Sequence, residues 1–338
     1  MSYPKIELHV HLEGAVSPAA LIAAARRNGF ALPCDTVEAL AEYMRFTDFE
    51  HFIAAWMATT RALRTEQDYR ELVVDYAARA QAQGAVYLEA IFSPSDKASV
   101  GVDQQVVFEG FCDGAQEARE TLGIEVRLTP DITRGVDQEL ANETARLAVA
   151  YRDRGVVALG LGGLEAQYPP ELYADAFAIA RDGGIASVPH AGEVAGPPSI
   201  RGALDALHAD RIRHGVRAVE DPGLLRELAD RQVVLDVCVL SNVCLSVVPS
   251  VEAHQLPRLL AAGVPCTVNT DDPTFFSCDL ELEHAAARSL GADPRALFEA
   301  GVAGALCEEA TKDALRAVAA GYDWDADADS QAVVPAAG

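Results

Sequence analysis

The sequence predicts an α/β fold: one (β/α)8 barrel domain over residues 1–320, with a helical insertion after its first strand. Three features point there. Eight short β-rich runs alternate with longer helical stretches along the 338 residues, and eight parallel strands are the number that closes a barrel. The first run ends in His9-Val10-His11, where an open, doubly wound sheet usually carries a glycine-rich phosphate turn. Neither a Walker A pattern nor a GxGxxG turn in the right context occurs.

Taken in order, residues 6–12 read as the first strand. Further strands are predicted at 86–92, 124–131, 156–161, 185–190, 211–214, 233–238 and 265–270, with Ala-, Arg- and Glu-rich helical stretches at 65–83, 103–122, 138–154 and 170–182. Residues 15–64 form an insertion too long for one crossover helix. Within it Phe49, Phe52, Ile53 and Trp56 recur at helical spacing. That spacing predicts core packing, while the position just after the His-rich strand leaves a lid over a pocket as the alternative. From Gly321 the chain alternates Asp with small residues. No glycine turn or distal Glu completes a calcium loop there, so 321–338 is expected to be a disordered acidic tail.

Composition excludes several classes of function. The chain carries 27 Lys+Arg against 51 Asp+Glu, a net charge of −24, which argues against a nucleic-acid polymer as partner because phosphate backbones are gripped by clustered Lys and Arg. Half the residues are hydrophobic, enough for a large core. The start, Met1-Ser2-Tyr3-Pro4-Lys5, lacks an apolar signal core. No apolar run approaches the roughly 20 residues that span a bilayer, so no membrane partner is expected. Seven scattered cysteines without a CxxC pair suit reduced thiols in the cytoplasm. Oligomerisation is left open.

Chemistry concentrates at the predicted strand ends. Alternation puts His9 and His11 on one face of the first strand. Two imidazoles there fill a core poorly and chelate well. His190-Ala191-Gly192-Glu193 follows the fifth strand, His214-Gly215 the sixth and Asp271-Asp272-Pro273 the eighth. In a barrel these ends share one opening, where the active site lies. His9, His11, His190 and Asp271 offer three neutral nitrogens and one anionic oxygen, a set that suits one Zn²⁺ per chain with a position left for water. Such an ion brings the pKa of water from 15.7 to about 7. Glu193, three residues beyond His190, is placed to deliver a proton, which requires a desolvated site that raises its pKa. His214 can supply a cation beside the new hydroxide. Of the other histidines, His208 and His284 fall in helical stretches, and His51 and His254 read as surface or supporting groups.

The set Pro4-Lys5-Ile6-Glu7-Leu8-His9-Val10-His11-Leu12-Glu13-Gly14, His190-Ala191-Gly192-Glu193, Arg213-His214-Gly215, Ser241-Asn242 and Asn269-Thr270-Asp271-Asp272-Pro273 resembles the adenosine deaminase family. Order and spacing match over roughly residues 4–320. The resemblance implies a mononuclear zinc barrel of the amidohydrolase type that hydrolyses the exocyclic amine of a small 6-aminopurine. It implies His9, His11, His190 and Asp271 as metal ligands, and Asp271, Glu193 and His214 as catalytic groups. In it Glu193 protonates the purine nitrogen beside the attacked carbon and His214 orients the attacking water. Asp272 binds another ring nitrogen, and Gly163 presents a backbone amide to the purine.

Three rival readings fit the sequence less well. A lysine-bridged binuclear site is unavailable, because the three lysines, Lys5, Lys97 and Lys312, all lie away from the fourth strand. His11-Leu12-Glu13 imitates the H-x-E of cytidine-type deaminases, but no PCxxC partner occurs. A non-catalytic binding protein on this scaffold would not need the intact set of ligands and acid. Substrate choice is less marked. Family members acting on adenosine commonly have Asp where this chain has Glu13, which is expected to crowd the usual ribose position. Glu is common there in deaminases of free adenine and of 6-aminodeoxyfutalosine, an adenine nucleoside. Ser93-Pro94 looks more like the nucleoside enzymes, and Leu245, Val247 and Val248 are expected to bound an apolar nucleoside substituent. Val239 stands where relatives usually have Pro after the Cys. A 6-aminopurine nucleoside is favoured, with free adenine as the alternative.

Overall fold

A computed structural model describes residues 3–46 and 49–327. Eight strands run parallel in chain order: β1 (Lys5–His11), β2 (Ala85–Phe92), β3 (Glu125–Thr133), β4 (Ala158–Gly162), β5 (Ala186–Ala191), β6 (Arg211–His214), β7 (Val234–Val237) and β8 (Cys266–Val268). Each falls within or overlaps its predicted run. The seam between first and last is closed by Val10 and Asp271, with His11 N–H donating to Asp271 O at 2.7 Å and Asp271 N–H donating to His9 O at 3.1 Å. The strands therefore form the predicted (β/α)8 barrel. β8 is shorter than its predicted run because Asn269 turns its side chain to accept Leu8 N–H at 2.7 Å, and Asp271 adopts a left-handed φ of 63°.

The insertion folds as four helices: α1 (Leu12–Ala15), α2 (Pro18–Asn28), α3 (Val37–Tyr43) and α4 (Phe49–Thr60). Ser17 caps α2 by accepting Ala20 N–H, Pro18 occupies the first turn, and Gly29 ends the helix at φ 62°, each the choice local physics favours. Thr47, Asp48 and the Phe49 side chain lie outside the described residues. Phe52 stacks among Phe46, Phe275 and Phe276 at 5.2–5.6 Å between centroids, which pins α4 to the loop after β8. Ile53, Trp56 and Met57, with the edge of Phe52, line the cavity at the barrel mouth. One helix thus meets both expectations, core packing at Phe52 and a wall over the opening along its neighbours.

The remaining helices wrap the barrel: α5 (Glu66–Ala82), α6 (Pro94–Ser99), α7 (Gln104–Leu122), α8 (Gln138–Ala150), α9 (Ala174–Asp182), α10 (Pro197–Asp205), α11 (Pro222–Asp230), α12 (Val239–Cys244), α13 (Leu256–Ala261), α14 (Leu280–Ser289), α15 (Pro294–Gly304) and α16 (Glu309–Gly321). His208 sits in the turn after α10 with φ 51°, not in a helix. After α16 the chain makes one more turn at Trp324–Asp327. Trp324 donates to Ala319 O at 2.9 Å and packs on Phe298 and Tyr3, an apolar contact the acidic pattern concealed. The rest of the expected tail, 328–338, lies outside the described residues. No helix among the described residues is long and apolar enough to cross a membrane.

Below the mouth, the barrel interior is ionic as well as apolar. Arg211 donates to Glu89 and Asp236, each at 2.7 Å, and to Gly304 O at 2.6 Å, with all three side chains fully buried. Thr267 donates to the second Asp236 oxygen at 2.9 Å. Above it, Arg213 pairs with Asp131 and donates to Thr129 at 2.6 Å. Gly160 has to be glycine, because a Cβ there would overlap the Asp131 carboxylate. Replacing Arg211 by Leu strands two carboxylates without a counter-charge, and unfolding free energy should fall by about 3–5 kcal/mol. Urea denaturation reads this directly; a loss below about 1 kcal/mol would show that the network carries little of the fold.

Candidate active site

His9 and His11 end β1, His190 ends β5 and Asp271 follows β8, and their donor atoms all lie within 4.8 Å of one another. Asp271 Oδ1 stands 3.2 Å from His9 Nε2 and 3.3 Å from His11 Nε2. His11 Nε2 and His190 Nε2 are 3.1 Å apart. The carbonyls behind the rings set the tautomers. His190 Nδ1–H donates to Leu161 O at 3.0 Å and His9 Nδ1–H reaches Asp236 O at 3.4 Å, which leaves both Nε2 lone pairs aimed at the common centre. His9 Nε2 is buried without a hydrogen-bond partner. A buried lone pair with no donor, beside two more nitrogens and a carboxylate, is what a divalent ion would satisfy.

Burial pushes His9 down to about 3, so it is neutral and ready to ligate. Burial also works against the charged form of His11, but the carboxylates of Asp272, Asp271 and Asp131 outweigh it and hold that ring near 9. In the metal-free protein His11 therefore carries an extra proton, which it shares with His190 Nε2. Asp271 stays well below the usual carboxylate range: burial opposes this, and the facing His9 and His11 overcome it. Ser241 hydroxyl fixes its other oxygen at 2.6 Å.

Glu193 and His214 lie on the far side of this centre. Their closest atoms are 3.7 Å apart, and His214 Nε2 is 3.9 Å from Asp271 Oδ2. Burial, then the charges of Asp271 and Glu165, push Glu193 well above its ordinary value, so it holds its proton far more tightly than a free carboxyl. A chain of bonds behind His214 defines which nitrogen bears its hydrogen. Leu256 N–H donates to His254 Nδ1 at 3.0 Å, so His254 donates from Nε2 to Asn242 Oδ1 at 3.1 Å. Asn242 must then present its amide N–H to His214 Nδ1, 3.4 Å away. Neutral His214, favoured by burial, thus carries its hydrogen on Nε2, facing the cavity. It is a donor there.

A cavity of about 360 Å³ opens above these groups, within the roughly 300–1,000 Å³ of small-molecule sites. Asp272, Gly163 (φ 97°), His11, His190, Glu193 and His214 all border it. Burial raises Asp272 to about 8 against the pull of His11, and Gly14 is glycine because any Cβ would overlap the Asp272 side chain. Glu13 is not on the cavity wall. Strand geometry ends at His11 and α1 begins at Leu12, and Glu13 accepts the N–H of Ser93, the residue after β2, at 3.0 Å. Its other oxygen has no hydrogen-bond partner. Ser93 and Asp96 occupy the wall instead. Leu245 lines it as expected, whereas Val247 and Val248 do not.

The adenosine deaminase family model matches residues 4–320. The chain belongs to the adenosine deaminase family. It is similar to the aminodeoxyfutalosine deaminase of Acidothermus cellulolyticus, 48% identical over 95% of this chain and 92% of that protein. The crystal structure of an adenine deaminase from Arthrobacter aurescens superposes with a TM-score of 0.88 at 31% identity, covering 94% of this chain and 98% of that one. A zinc-bound amidohydrolase from Burkholderia ambifaria gives 0.86 at 28% identity, covering 97% and 92%. As a member of the adenosine deaminase family, this chain is a metal-dependent hydrolase acting on a C–N bond of a cyclic amidine.

Several groups around the site escaped the sequence reading. Asp131, 3.3 Å from His190 Nδ1 and paired with Arg213, lies at the C-terminal end of the third predicted strand, so the rule that found Asp271 would have found it. Glu165, Arg134 and Glu283 carry no comparable signal. Glu283 accepts Val239 and Leu240 N–H, each at 3.0 Å, which gives the Val in place of Pro a use. The raised His11 value yields a signed prediction. A divalent ion must displace the His11 proton, so below about pH 9 zinc affinity should fall about tenfold for each pH unit lost. Competition with a chromophoric chelator at pH 6, 7 and 8 checks this, and an affinity flat across that range would contradict it.

Proposed function

We propose that this chain hydrolytically deaminates a 6-aminopurine nucleoside to the 6-oxopurine and ammonia, using one zinc ion held by His9, His11, His190 and Asp271. The observation that carries the reading is the pairing, across one cavity, of a buried four-donor centre with the Glu193 carboxyl, which burial and the neighbouring carboxylates push well above its ordinary pKa. When bound, Zn²⁺ supplies a water acidic enough to ionise near neutral pH.

The chain's own residues do the rest. Attack at the amino-bearing carbon puts negative charge into the ring, and Glu193 delivers its proton to the adjacent ring nitrogen. His214 directs its Nε2 hydrogen at the attacking oxygen and, with Asp271, holds it in line. Asp272 and the Gly163 amide fix the purine edge. A second proton transfer through the same carboxylates lets ammonia leave. No covalent intermediate is required. Glu193→Gln should keep the fold and the metal while turnover drops about 10²–10⁴-fold; near-normal rates would remove Glu193 from the proton-donor role.

Two features support a nucleoside over the free base. The lining also includes an apolar rim of Ile53, Met57, Leu164, Val194 and Leu245, of which Leu164 and Val194 are 38% and 49% exposed. A free purine would leave that rim empty, whereas an apolar group on the sugar would cover it. The relative named for aminodeoxyfutalosine is 48% identical over 95% of this chain, against 41% over 81% for the adenine deaminase of Cupriavidus necator. Steady-state kinetics on adenosine, 2′-deoxyadenosine, adenine and 6-aminodeoxyfutalosine should give the highest kcat/KM for 6-aminodeoxyfutalosine. A preference for adenine would establish the alternative.

A further inference from the structure

Glu165 is buried in the loop after β4, two residues beyond Gly163, and both its oxygens serve one neighbouring segment. Oε1 accepts the N–H of Gly192 at 2.6 Å and the hydroxyl of Ser199 at 2.5 Å. Oε2 accepts the N–H groups of Glu193, Val194 and Ala195 at 3.2, 2.8 and 2.8 Å. Four consecutive backbone amides converging on one anion form a nest of the kind that fixes loop conformation, and charge-assisted bonds of this type are roughly twice as strong as neutral ones. On the other side of the same segment, buried Arg134 donates to His190 O at 2.7 Å and to Tyr168 O. Residues 190–195 are thus gripped by a buried anion at their amides and a buried cation at a carbonyl.

Glu193 needs such support. Among the described residues its carboxyl makes no hydrogen bond, and His214 Nε2 at 3.7 Å is beyond hydrogen-bond reach. Its place over the cavity is therefore set by its backbone. We infer that Glu165 is a positioning residue for proton delivery: its carboxylate locks the turn at 192–195 and so sets where the Glu193 carboxyl meets the substrate. This rests on the reading of Glu193 as proton donor. Glu165 itself has no free oxygen to offer a ligand.

The test is a double-mutant cycle in the zinc-loaded full chain with a 6-aminopurine nucleoside as substrate. Glu165→Gln puts an amide N–H against backbone N–H groups. It should lower kcat about 10²-fold with KM within about threefold and zinc content unchanged. In a Glu193→Gln background the same change should cost less than about threefold, because the group it positions has already been disabled. Losses that multiply, or a Glu165→Gln enzyme within threefold of the parent, would overturn the inference while leaving the deaminase reading intact. A Glu193→Gln enzyme with normal turnover would overturn the donor role and this inference with it. Should Glu165→Gln not fold, Ser199→Ala, which removes the hydroxyl from Oε1, enters the same cycle: coupling to Glu193→Gln supports the inference and additivity overturns it.

Discussion

The seam between β1 and the residue after β8 joins His11 N–H to Asp271 O and Asp271 N–H to His9 O. Those two bonds close the barrel and, in the same stroke, bring three of the four converging donors together. Asp271 pays for this with a left-handed backbone, as does His214 at φ 61°, a strain of roughly 1–3 kcal/mol for a residue with a side chain. Such strain persists only where the surroundings over-determine it. Here Ser241 holds the Asp271 carboxylate and Asn242 holds His214, both from α12 at the end of β7. The site is a consequence of how the barrel closes.

Its electrostatics follow from depth. Asp131, Glu193, Asp271 and Asp272 meet at the top of the barrel, with buried Arg213 paired to Asp131, buried Arg134 beneath the loop of Glu193, and buried Lys97 against the cavity wall at Asp96 and Trp56. The protein spreads protons unevenly: Asp271 stays ionised, Glu193 and Asp272 are pushed up, and His11 takes a proton. His11 would give up that proton to bind an ion at the centre, leaving the Glu193 proton for chemistry. Paired carboxylates with opposed environments are how one site holds a ligand and an acid together.

The eight strands and the converging quartet were legible in the sequence because both rest on short-range rules: β-rich runs, alternation along β1, and the habit of barrels to gather function at strand ends. Glu13 was read from a resemblance, not from a local rule, and the start of α1 at Leu12 takes its side chain off the cavity wall to accept Ser93 N–H. Asn242 and His254 could not be linked from sequence, because their bond runs between a helix and a loop whose approach only the folded barrel fixes. Glu165 is the clearest case. Nothing in its neighbours marks it, and its meaning lies in amides 27 to 30 residues downstream.

The proposed function requires one divalent ion among His9, His11, His190 and Asp271. Diffraction from crystals grown with zinc, recorded on both sides of the zinc absorption edge, tests it most directly. The account predicts a single anomalous peak per chain, bonded to the Nε2 atoms of the three histidines and to the Asp271 carboxylate. A second strong peak beside it, or a lone peak ligated by Glu193 in place of one of the four, would contradict it.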